Sequence, residues 1–159
     1  MELNSTEVMD SGDSVDIFAA EAASKRTEWP EWTSTERAAF VGEFADDKRA
    51  IDIVTLDLQG VTLVADYFVI CSGTSDVHVR SIAEGIEEAM KKKKGVRPFA
   101  VQGRQEANWI ILDYGDVVVH VFSEVERAHY DLEEFWKHAR VVERVLAGRP
   151  GAEGVGGGV

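Results

Sequence analysis

Cysteine occurs once in these 159 residues, at Cys71. A single thiol supports no disulfide framework, and with one cysteine a zinc site is a poor fit. Cys71 lies in an apolar run, which reads it as a small buried hydrophobe in a reducing cytosol. The expected location is therefore cytoplasmic. Basic residues are also in short supply: 17 Lys and Arg stand against 29 Asp and Glu, a net charge of −12. That balance disfavours a nucleic-acid binder acting by phosphate neutralisation, so no direct DNA binding is expected. It leaves room for a basic protein partner. No apolar run approaches a membrane span. The first residues are acidic and carry no apolar core, which argues against a secretory signal and against an organelle transit peptide.

Recognisable catalytic constellations are missing too. There is no G-x-G-x-x-G and no Walker lysine. His78, His120, His129 and His138 form no H-x-x-x-H pair. Gly73-Thr74-Ser75-Asp76-Val77 lacks the second glycine of a nucleophile elbow. A nucleotidyltransferase would place two carboxylates at i and i+2 on one strand, both facing one Mg²⁺. Asp52 and Asp57 are instead five apart and are expected on opposite faces; Asp113 and Asp116 bracket a turn. Neither a metal nor another cofactor is expected. Ser72-Gly73-Thr74-Ser75, ahead of a helix, could hold a phosphate on its backbone N–H groups, or be a plain capped strand-to-helix turn. Lys91–Lys94 could touch RNA, or be a solvated helix end. His120, set in an apolar strand, reads as a hydrogen-bonded core histidine.

The informative stretch is Trp109 to Phe122. Trp109–Leu112 is apolar throughout, and Val117–Phe122 is β-branched or aromatic except at His120. Two strands buried on both faces fit this pattern, joined by Asp113-Tyr114-Gly115-Asp116 with Gly115 supplying the positive φ of a tight turn. The hairpin should lie in the middle of a sheet with helices on its faces.

Residues 1–33 hold eight acidic and two basic residues, half the net charge, and read as a mostly disordered acidic tail in which Trp29 and Trp32 flank Pro30. Thr33 and Glu36 have capping-box spacing, predicting a helix over about 34–49 with Phe40, Val41 and Phe44 as its stripe. Residues 51–58 and 67–71 are predicted strands, the first with apolar residues largely on one side. A helix follows from about Ser75 to Lys94, with Val79, Ile82, Ala83, Ile86 and Met90 at helical spacing and Gly95 as its stop. Residues 98–101 are a predicted short strand. After the hairpin, a helix is predicted from Glu124 to Leu146 with a kink near Asp131. Val125, Leu132 and Trp136 mark its stripe, continued by Val142, Val145 and Leu146. From Gly148 to Val159 the chain is glycine-rich and expected to be disordered. The predicted architecture is a single domain over 34–147, of α/β (α+β) class, with a mixed five-stranded sheet and helices packed on its faces.

Several blocks in this order resemble the ribosomal silencing factors, also called Iojap-like proteins. They are Asp52-Ile53 with Leu56-Asp57; Asp66-Tyr67-Phe68-Val69-Ile70; Gly73-Thr74-Ser75 with His78-Val79; Asn108-Trp109; Asp113-Tyr114-Gly115-Asp116 with His120-Val121-Phe122; and Tyr130-Asp131-Leu132-Glu133 with Trp136. The resemblance spans roughly 35–137. It implies a nucleotidyltransferase-like fold without the transferase carboxylates. It also implies a non-enzymatic role: binding the large ribosomal subunit through a ribosomal protein on its subunit-joining face, which blocks the small subunit and lowers translation when nutrients are scarce. The matching residues put the partner surface near Trp109, Asp113, Asp116, Tyr130, Leu132 and Trp136. For Trp109 and Trp136 core packing is the competing reading. A nucleotide-binding or nucleotidyltransferase-like enzyme of the same fold stands as the alternative. The oligomeric state stays open, a homodimer included.

Overall fold

The computed structural model describes residues 32–146. The chain divides into two units between Thr33 and Ser34, and every element below belongs to the second. The expected glycine-rich tail at 148–159 and nearly all of the acidic stretch at 1–33 lie outside the described residues.

Helix α1 (Ser34–Asp47) leads to strands β1 (Ile51–Asp57) and β2 (Tyr67–Gly73). The long helix α2 (Asp76–Lys94) then crosses to β3 (Ala100–Gln102), and the hairpin β4 (Trp109–Asp113) and β5 (Val117–Ser123) follows. Two short helices, α3 (Glu124–Tyr130) and α4 (Leu132–Phe135), lead to β6 (Arg140–Val145). The sheet has six strands in the order β3-β4-β5-β2-β1-β6. Only β2 and β5 pair in parallel; the other four pairings are antiparallel. The class is the predicted one, α+β with a mixed sheet and helices on its faces. Among the described residues no helix is long and apolar enough to cross a membrane.

Helix α2 ends where its sequence says it should. Ser75 caps its start by accepting from the His78 N–H at 3.1 Å, and Gly95 closes it in the left-handed region at φ 68°. All five residues of its predicted stripe are buried. The hairpin turn also forms as predicted, with Gly115 at φ 92°.

Registers assign side chains to the two faces. Tyr67, Val69 and Cys71 share one face with Val117, Val119, Val121, Ile110 and Leu112, and all are buried. Helix α1 covers this face, its Thr35 hydroxyl 2.8 Å from the Tyr67 hydroxyl. The other face carries Val54, Leu56, Phe68, Ile70, Val118 and Phe122, the heart of a separate apolar cluster. No residue of α1 or α2 belongs to that cluster; its cover is Leu132, Trp136 and Ala139 from the chain after α3. One face is thus roofed by two full helices and the other by a thin segment.

Several expectations are corrected. The sheet has six strands, not five, because residues 140–145 form β6 where the last helix was predicted to run on to Leu146. The spacing of Val142, Val145 and Leu146 suits a helix stripe, but the outer edge of β1 needs partners for its backbone N–H and C=O groups, and β6 supplies them. Arg140 to Asp57 and Arg144 to Asp52, both at 2.8 Å, hold the pairing. The predicted stripe fails at its start as well: Val125 is 76% exposed. Strand β4 is not buried on both faces, since Ile110 and Leu112 are buried while Trp109, Ile111 and Asp113 are only half-buried. Nor does the hairpin sit wholly in the middle of the sheet: β5 does, but only the three residues of β3 lie beyond β4. Strand β1 was expected to be one-sided, yet Ile53–Leu56 are all buried, because cover exists on both faces there. A register shift between Ile51 and Val54, with Asp52 at φ 51°, also breaks the alternation that would put Asp52 and Asp57 on opposite faces.

Candidate functional site: a half-covered aromatic face

Trp109 opens β4 and stands opposite Phe122 of β5. Their rings stack at 4.7 Å between centroids. Tyr130, the last residue of α3, lies over the same indole at 4.6 Å and stays 50% exposed. The indole N–H of Trp109 donates to Nδ1 of His120 at 3.1 Å. His120 in turn packs on Phe68 at 4.5 Å, and Trp136 meets Phe68 edge-on at 5.7 Å. Leu132 and Ile111 pack against the same cluster and are half-buried. Phe135, beside Trp136 at 5.1 Å, is 73% exposed.

A local backbone device sets the position of these rings. Ser123 caps α3 by accepting from the Glu126 N–H at 3.1 Å. Asp131 then takes the left-handed conformation at φ 47° and ψ 57°, ending α3 and starting α4. That single residue turns the chain so that Tyr130 and Leu132, on either side of it, both face the sheet cluster. Arg127 anchors the turn from below. Its guanidinium donates to the Asp52 carbonyl at 2.7 Å, to Ser72 Oγ at 3.0 Å and to Glu133 at 2.6 Å.

Of the six predicted surface residues, Trp109, Tyr130, Leu132 and Trp136 come together. The two aspartates lie elsewhere. Asp113 shares the face of Trp109 and Ile111, but at the far end of β4, about 13 Å along the strand. Its Oδ1 accepts from the Gly115 N–H at 2.8 Å, so it braces the hairpin turn. Asp116 pairs with Arg37 of α1 at 2.9 Å, and its backbone carbonyl accepts from both Asp66 and Tyr67. Phe68, Ile111 and His120 were not singled out as surface residues from the sequence. Only the strand register brings them beneath the rings, and the sole sequence signal was a histidine in an apolar run.

The turn at Ser72–Ser75 is spent on local bonds. Thr74 N–H donates to His78 Nδ1, Val77 N–H to Asp76 Oδ1 and His78 N–H to Ser75 Oγ. A Cβ on Gly73 would lie 2.8 Å from the Val79 nitrogen, so the glycine serves the close passage of strand and helix. These donors are engaged and the Asp76 carboxylate stands among them, which favours a capped turn over a phosphate cradle. Among the described residues no group of three or more His, Cys, Asp or Glu side chains is placed to hold a metal ion.

Two titratable groups are displaced by burial. His120, 5% exposed, has its pKa pushed down to about 3 by desolvation, and Cys71 is pushed up to about 12, also by burial. Such a thiol is unreactive.

The profile of the family described as "Ribosomal silencing factor during starvation" matches residues 31–153. The chain belongs to the ribosomal silencing factor family. A ribosomal silencing factor of Bacillus subtilis is 47% identical over 98 residues, which are 62% of this chain and 82% of that protein. A crystal structure from Bacillus halodurans is 37% identical with a TM-score of 0.61, covering 69% of this chain and 98% of the other. A Chromobacterium violaceum protein solved by X-ray crystallography is 28% identical with a TM-score of 0.64, covering 74% and 98%. The family description and the name of the Bacillus subtilis relative are those of a regulatory factor rather than an enzyme.

Proposed function

We propose that this silencing factor works by occlusion. It binds the large ribosomal subunit through a ribosomal protein on the subunit-joining face and so keeps the small subunit away, lowering translation when nutrients are limiting. It acts in the cytoplasm and catalyses no reaction. The observation that carries the reading is the half-covered aromatic face: Trp109, Tyr130, Leu132 and Trp136 share one surface, packed on Phe68, His120 and Phe122. Aromatic anchors on a firm base are what interface hot spots are made of. A charge of −12 suits a basic protein partner better than a phosphate backbone. Asp113, at the far end of the same face, would sit on the rim.

Sedimentation with separated ribosomal subunits tests the proposal. The protein should travel with large subunits and not with small ones, and should slow their joining when added before mixing. Salt should weaken binding less steeply than for a basic RNA binder. Tyr130→Ala should cost about 1–2 kcal/mol of affinity with the fold intact. Equal affinity for both subunits would sink the proposal. Calorimetry showing micromolar ATP binding with Mg²⁺ would instead put a nucleotide-dependent activity first.

A further inference from the structure

His120 is the only polar residue between Val117 and Phe122. Its Nδ1 accepts the Trp109 indole N–H, and an indole nitrogen can only donate. Nδ1 therefore carries no proton, and the neutral ring holds its proton on Nε2. That Nε2 is buried and has no hydrogen-bond partner. A buried orphan donor is destabilising. An apolar side chain of similar volume would suit this strand better in every respect but one: it could not accept from Trp109.

Stacking on Phe122 at 23° and tilted packing under Tyr130 at 43° act on the faces of the indole and set its plane. The hydrogen bond to His120 acts at one edge and sets where the N–H points. Register places Trp109 opposite Phe122 and His120 opposite Ile111, so Trp109 and His120 are diagonal neighbours on one face, within reach of long side chains.

We propose that His120 is the positioning residue of the aromatic face: its Nδ1 holds the Trp109 indole in one orientation, N–H edge toward the sheet, so that the surface is preformed before a partner arrives. The consequence for binding rests on the docking reading given above; the orientation itself does not. A preformed anchor binds tighter because less ordering is lost on association.

Nuclear magnetic resonance of the free ¹⁵N-labelled protein decides the orientation. The Trp109 indole resonance is assigned by its loss in Trp109→Phe. In His120→Leu that resonance should shift and its proton should exchange faster with solvent. His120→Gln, which offers an amide oxygen near the same place, should recover part of the protection. An indole unchanged in His120→Leu would overturn the positioning role. The wild-type imidazole nitrogens provide a second reading, needed if His120→Leu fails to fold: Nδ1 must be bare and Nε2 protonated, and the opposite tautomer would overturn the role.

Binding to isolated large subunits then decides the consequence. His120→Leu should bind about fivefold or more weakly, with His120→Gln in between. A released indole with unchanged affinity would overturn the preformed-surface claim while leaving the docking reading intact. Wild-type protein that does not bind large subunits would overturn the docking reading and the binding consequence together. The resonance measurements on free protein would still decide the orientation.

Discussion

Asp116 Oδ1 and Arg37 Nη1 lie 2.9 Å apart although their residues are separated by 79 positions in the chain. The pair ties the β4–β5 turn to α1, on the face of the sheet away from the aromatic cluster. Its Arg37 side chain is 10% exposed, so removing the acid takes a charged partner from a mostly buried cation. Asp116→Ala should therefore lose about 2 kcal/mol of stability in a denaturant melt. Large-subunit affinity should stay at the wild-type value; a loss of affinity at unchanged stability would place Asp116 in the interface instead.

Arg127 holds three segments at once. It donates to the β1 bulge through the Ile51 and Asp52 carbonyls, to β2 through Ser72, and to α4 through Glu133. Arg127→Met keeps much of the volume but leaves these acceptors without their donor. About 3 kcal/mol or more of stability should be lost, measured by chemical denaturation. The same variant should bind large subunits more weakly, because α3 and α4 would no longer hold Tyr130 and Leu132 in place.

Acid should destabilise the fold through His120. Its folded pKa, about 3, lies below the unfolded value near 6.5, so the unfolded chain binds the extra proton between those limits. The neutral ring's contribution is complete above about pH 6.5 and is lost progressively as pH falls toward 3, at about 1.4 kcal/mol per unit at most. Melting temperatures between pH 7 and pH 5 should fall more steeply for wild type than for His120→Leu. Parallel slopes would show that the histidine is not buried as described.

Asp131 is the hinge between α3 and α4, at φ 47°. Aspartate tolerates this conformation and a β-branched residue does not. Asp131→Val should cost about 1–3 kcal/mol and weaken subunit binding by displacing Tyr130 and Leu132, whereas Asp131→Gly should be close to neutral in stability. Thermal melts beside the sedimentation assay would check both outcomes.

What could be read from the residues alone follows from how local each signal is. Helix α2 was legible because its cap, stripe and stop all lie within its own sequence. So was the hairpin, whose turn is set by Gly115 and the adjoining Asp113. Strand β6 was not, because its conformation answers a need of β1, some 83 positions earlier, and its own valines suit a helix stripe as well as a strand. The aromatic cluster was half legible. Residue types and family resemblance pointed to Trp109, Tyr130, Leu132 and Trp136, but the separation of Asp113 and Asp116 from them follows from the hairpin, which puts Asp113 at the far end of β4 and Asp116 in the turn beyond it. The role of His120 beneath Trp109 could be seen only once the register had been fixed.

The position of β6 in the chain also bears on how the protein is made. Strand β1 is synthesised early, yet its outer neighbour is the last strand among the described residues, joined to it through Asp57 and Arg140. The parallel partner of β2 likewise arrives only after α2, β3 and β4. Both sides of the β1–β2 hairpin therefore wait for chain made much later, while the β4–β5 hairpin can close as soon as it emerges. A newborn chain cut short before residue 140 would expose the β1 edge as a template for unwanted strand pairing. A member of the ribosomal silencing factor family thus has this sheet sealed only once residues 140–145 have been made.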